Sequence, residues 1–221
     1  MKNIVCIDGE YFYIEPDSSL IRNEESYCIV KDRINKRDTA NVGGIDWQRI
    51  RADAESLAKE KGLDLIIASY YTVAVFKTQG FKGFANGLSL INAVLLSQAT
   101  DDLKQQKLNM GLVEWVQKQI TKDIKKLQPT YDTLRDLYRC ERECYLLSDF
   151  IGRQQATHEN GLENATVEII EHIDRLEMRY QTMGKERSDA ERFSWSNTGL
   201  VLAASLISAA STFFLMTYLS Y

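Results

Sequence analysis

A chain of 221 residues, 44% of them hydrophobic, can bury one domain-sized core and carry an appendage, but not several cores. Two prolines and twelve glycines are too few for a loop-rich or disordered protein, so helix is favoured. The 31 acidic and 27 basic side chains, net -4, are interspersed; no phosphate-binding basic face results, and nucleic acid is not an expected partner.

Residues 4 to 14, IVCIDGEYFYI, are two β-prone runs split by Asp8 and Gly9, a pair that tolerates the positive φ of a two-residue hairpin turn. A lone hairpin is marginal, so it is expected to lie on a helical body. Past Pro16 the period becomes helical. A first helix is predicted over about 19 to 37, with Tyr27, Val30 and Ile34 on one face. A second begins at Asp46 as N-cap, turns Trp47, Ile50, Ala54, Leu57 and Ala58 inward, and ends at Gly62. Asp64 caps a third, in which Leu65, Ala68, Tyr71 and Val75 recur at helical spacing up to Gly80.

Residues 81 to 99 open with Gly80, Gly83 and Gly87 interleaved with Phe81 and Phe84, then run into Leu88, Leu90, Ile91, Val94 and Leu95. Each glycine weakens a helix by up to about 1 kcal/mol, so close helix packing on the glycine side is the expected compensation. A phosphate-cradling loop is the rival, but the spacing matches neither the G-x-G-x-x-G nor the Walker pattern and no strand precedes it. Further helices are predicted over about 111 to 127 and 131 to 155, parted by Pro129, and over about 162 to 179. In the last, Ile169, Ile173, Leu176 and Tyr180 form either a short coiled-coil seam or a face paired with the body.

The polar run 184 to 194 reads as a juxtamembrane connector. From Gly199 to Leu219 no residue is charged, and at about 1.5 Å per residue the run matches a bilayer core of roughly 30 Å. Gly199, Leu200, Leu202, Leu206, Phe213, Phe214 and Leu219 are its anchoring residues. A buried core helix is the competing reading. Lys185, Arg187 and Arg192 before the segment predict that the bulk of the chain stays in the cytoplasm. The small residues Ala204, Ser208 and Thr212 lie at one-turn spacing, which fits either self-association in lipid or the ordinary composition of such helices.

No catalytic, cofactor or metal site is expected. His158 and His172 lie near no cysteine in sequence, and Cys140 and Cys144, one turn apart, are at most half a metal site and otherwise small buried thiols. With Cys6 and Cys28 they predict free thiols in a reducing compartment, because the apolar run Ile4 to Ile7 is too short for a signal peptide. No hydrolase, zincin or paired-cysteine motif is present.

The stretch from Ile45 to Leu103 resembles the N-terminal domain of the ImpA or TssA family of type VI secretion proteins. In that family an Asp-Trp opens one helix, a Lys/Arg-Asp-Leu opens the next, and a block Gly-Phe-x-Gly-Leu-x-x-Gly-Leu follows. The counterparts are Asp46 and Trp47, then Asp64 and Leu65, then Gly80, Phe81, Gly83, Phe84, Gly87 and Leu88. Ile34-Asn35-Lys36, Glu114-Trp115 and Leu137-Tyr138-Arg139 with Glu141 look like the membrane-anchored VasL or TagA type. Two departures stand: Pro16-Asp17 is a faint echo of the family's Asp-Pro-Arg element, and the longer relatives have a C-terminal domain after the membrane segment, whose role is not carried over.

The resemblance implies a scaffold rather than an enzyme. Its partners would be sheath, tube or baseplate proteins and the bacterial inner membrane, in several copies. The expected fold is mainly α, a multi-helix bundle with a short N-terminal β-hairpin and one C-terminal transmembrane helix. The expected divisions are a hairpin at 1–18, a helical domain at 19–157, a stalk and connector at 158–194 and an anchor at 195–221. The alternative is a membrane-perturbing defence effector whose helical domain controls clustering of the anchor.

Overall fold

The computed structural model describes residues 3–15, 17–35, 44–98, 102–154 and 161–183. The chain divides into two compact units, Met1–Asp174 and Arg175–Tyr221. In the first unit, β1 (Asn3–Ile7) and β2 (Glu10–Ile14) pair antiparallel, with Asn3 opposite Ile14 and Ile7 opposite Glu10. Asp8 and Gly9 both take positive φ, 52° and 84°, the condition for a tight turn whose twist matches the strands. The helices of this unit are α1 (Glu25–Asn35), α2 (Trp47–Glu60), α3 (Leu65–Ser97), α4 (Leu103–Lys126), α5 (Leu134–Gln154) and α6, residues 163–174. In the second unit, residues 175–183 are helical. The fold is thus mainly α with an N-terminal hairpin, as the sequence predicts.

The hairpin lies on the helices. Phe12 and Ile14 are buried, and the Phe12 ring stands 5.9 Å from that of Tyr71 in α3. The connector before α3 extends the sheet edge: the Leu63 N–H donates to the Tyr13 carbonyl and the Glu15 N–H to the Leu63 carbonyl, each at 3.0 Å. These bonds satisfy backbone groups that the burial of Leu63 and Ile14 would otherwise strand.

Two helix starts differ from the sequence expectation, and both differences trace to caps. α1 begins at Glu25 rather than near residue 19, because Asp17 accepts the Ser19 N–H and caps a 3-10 turn, Ser18–Leu20, that precedes the buried Ile21. α4 begins at Leu103 rather than near Gly111, since Asp102 accepts the Lys104 N–H at 3.0 Å. Gly111 sits inside the helix, facing open space. α5 follows Pro129 after a second 3-10 turn, Tyr131–Thr133.

α3 is the hub, in contact with α1, α2, α4, α5 and both strands. It is apolar around its circumference, as a helix enclosed by others must be. It is also folded back on itself. Gly80 leaves helical geometry at φ 64° and ψ -142°, a conformation open to glycine and strained for other residues. A Cβ on Gly83 would lie 2.3 Å from the Val75 carbonyl oxygen, and one on Gly87 would lie 2.7 Å from the Cα of Thr72. In an unbroken helix the backbones of residues 75 and 83 would be about 12 Å apart along the axis. The two arms of α3 therefore pack backbone to backbone, and the Phe76 and Phe84 rings meet edge to face at 5.5 Å.

α6 closes the unit against α4. The Asn164 N–H donates to Gln117 Oε1 at 3.0 Å, Lys125 pairs with Glu168 at 2.8 Å, and His172 Nε2 is 2.9 Å from the Ile124 carbonyl oxygen. Of the apolar series on the last predicted helix, Ile169 and Ile173 are buried in this unit, whereas Tyr180 in the second unit is exposed. Among the described residues no helix is long and apolar enough to cross a membrane. The predicted segment Gly199 to Leu219 lies outside the described residues, as do its connector and His158.

Candidate docking surface

The signature residues read from the sequence occupy the framework. Asp46 Oδ1 accepts the Arg49 N–H at 3.0 Å and so caps α2. Asp64 caps α3 through the Ile67 N–H at 3.0 Å and accepts the Tyr27 hydroxyl at 2.9 Å, tying α1 to the hub. Burial pushes the Asp64 carboxyl up, and these donors partly offset the rise. Trp47 is only half-buried; Lys77 lies 6.0 Å from its ring centroid and is also ion-paired with Asp123 of α4. Leu65, Phe81 and Leu88 are buried, and Gly83 and Gly87 are covered by the opposite arm of α3. Most of this set is spent on internal contacts.

Cys6 and Cys28 are free and exposed, whereas the other two cysteines and His172 are engaged in packing. Cys140 and Cys144 are free and buried, and the Cys140 thiol donates to the Phe81 carbonyl at 3.2 Å. Desolvation pushes both thiols up, Cys144 to about 12, so neither is a nucleophile near neutrality. Among the described residues no group of three potential metal ligands comes together. His172 is buried with its ring edge-on to Phe81 at 5.8 Å.

Sequence reasoning missed a set of polar links between α3 and its neighbours. Asn86 donates to Asp8 at the hairpin turn at 2.9 Å and accepts from Arg139 of α5 at 2.7 Å. Asn92 donates to Glu143 of α5, both to its carbonyl and to its carboxylate, at 3.0 and 2.9 Å. The available signal was two asparagines in an otherwise apolar helix, since a buried amide must find partners.

Among the described residues, two concave surfaces are candidate docking places. A cleft of about 470 Å³ lies between the turn before α1, the start of α3 and α4. Arg22, Lys31 and Lys107 line it with Leu65 and Leu108, and its one carboxylate, Asp64, is already held by Tyr27. The second surface is the outer side of α5, where two shallow depressions of about 550 and 460 Å³ share Tyr138 and Arg142.

No curated protein and no solved structure matches the chain. Residues 15–103, from the residue after β2 to the first residue of α4, match the family model described as ImpA, N-terminal, type VI secretion system.

Proposed function

We propose that the chain is a membrane-anchored accessory protein of a bacterial type VI secretion system, with its helical body in the cytoplasm docked on the contractile sheath or baseplate to control or hold sheath assembly. The observation that carries this reading is the family match over residues 15–103. What supports a docking rather than a chemical role is how the matched residues are used: caps, a backbone-to-backbone turn and buried aromatics make a rigid platform, which loses little freedom when it binds. The cleft at the start of α3 is the docking place in this reading. Arg22, Lys31 and Lys107 suit an acidic segment of the machine. The run Gly199 to Leu219 is the tether, and several clustered copies hold a large symmetric partner by avidity.

A fluorescent fusion imaged beside a labelled sheath tests the proposal. Foci at membrane-attached sheath ends are expected, and they should disperse when residues 199–221 are deleted. Lys31→Glu with Lys107→Glu should abolish the foci while leaving the folded protein at its normal level. Fluorescence that ignores the sheath would sink the reading, and loss of membrane potential on overproduction would favour the membrane-perturbing alternative.

A further inference from the structure

We infer that the corner formed by the end of α3 and the first turns of α4 lies on an anionic lipid bilayer, with Leu96, Leu103 and Leu108 entering the headgroup layer and Lys104 and Lys107 meeting the lipid phosphates. The inference rests on the makeup of this surface and not on the type VI reading.

Once Asp102 has capped α4, the helical period sorts its first residues into two sides. Gln106, Asn109, Met110 and Val113 are buried, which leaves Leu103, Lys104, Lys107 and Leu108 together on the outward side. Leu103, at 69%, is the most exposed large apolar side chain among the described residues, and Leu108 is 57% exposed. In the last turn of α3, which packs on α4, Leu96 is 67% exposed. Three leucines at one corner, each more than half in water, forgo the gain that burial of apolar surface would bring.

The charge of this corner indicates which partner fits. From Leu103 to Val113 the chain carries two lysines and no acidic residue. Among the described residues neither Lys104 nor Lys107 has an ion pair. The surface is therefore positive as well as apolar, the complement of a bilayer whose anionic lipids give it a negative surface potential. Composition decides between lipid and protein. Protein interfaces favour tyrosine, tryptophan and arginine and are poor in lysine, whereas leucine beside lysine is typical of surfaces that lie in a membrane interface. The leucines enter the apolar boundary, and each lysine lays its methylene stem along it while its ammonium reaches a phosphate. Lys107 and Leu108 also border the cleft at the start of α3, so a bilayer and an acidic protein segment would exclude each other there.

The test uses the full-length chain with the exposed Cys6 and Cys28 changed to serine and the buried Cys140 and Cys144 left in place. Leu103→Cys carries a polarity-sensitive fluorophore, and the chain is mixed with vesicles of phosphatidylcholine alone or of phosphatidylcholine and phosphatidylglycerol in about equal parts. With the anionic vesicles the emission should shift to the blue and be quenched by spin-labelled lipid, whereas the same label at Tyr145→Cys should stay in water. Lys104→Glu with Lys107→Glu should lower that quenching about tenfold at unchanged helix content, and Lys104→Arg with Lys107→Arg should preserve it. Flotation of the vesicles separates this contact from the tether. A chain that floats only with anionic vesicles, its label at 103 shifted, upholds the corner and removes the tether. A label at 103 that stays in water, or responds equally to neutral lipid, overturns the inference and leaves the corner to a protein partner; a chain that floats with neither vesicle overturns both.

Discussion

α3 and α5 are both long helices of one body, yet they are constrained in opposite ways. α3 is enclosed on all sides and folded onto itself so tightly that two of its positions admit no side chain, whereas α5 buries one side and leaves a tyrosine and arginine face open. The family pattern covers the first and stops short of the second. On this contrast, the glycines within the matched stretch mark where substitution is intolerable to the fold, and α5 shows how much surface an element without that constraint leaves open.

The sharpest way to break the comparison is at the glycines. Gly83→Ala, or Gly87→Ala, should destabilise the protein by about 3 kcal/mol or more in denaturant titration, because the new methyl meets backbone that cannot yield. Gly80→Ala should cost less, about 1–3 kcal/mol, since the space there is open and only the dihedral resists. Gly111→Ala should go the other way and stabilise by about 0.5–1 kcal/mol, a helical glycine with nothing beside it. Smallest of all, Tyr145→Ala should change stability by no more than about 0.5 kcal/mol in the same titration. A cost like that of Gly83→Ala would mean that the outer side of α5 belongs to the core after all.

Much of the framework is legible in the sequence because it rests on local chemistry. Asp8-Gly9 encodes its turn, Asp46 and Asp64 announce their helices, and the glycine spacing points to close packing. That the packing partner is the preceding arm of the same helix, with Gly80 as the reversal, is a three-dimensional fact that spacing alone leaves open. The start of α4 is not legible in the sequence because Gly111 reads as a boundary, whereas Asp102 supplies the cap that starts the helix earlier. The α5 face was hidden for a different reason: its residues sit at plain helical spacing, and which side of a helix is covered is decided by neighbours distant in sequence. Asn86, bridging the hairpin turn and α5, likewise depends on contacts that no local pattern records.

The reversal at Gly80 also bears on the order of assembly. Phe76 and Phe84 meet across a very short loop, so bringing them together costs little chain entropy, while joining Asp8 to Asn86 closes a separation of 78 residues. The hub can thus condense early, with the β-hairpin added late. Kinetic φ-values near one at Phe84 and near zero at Phe12 would record that sequence of events, and the reverse pattern would refute it.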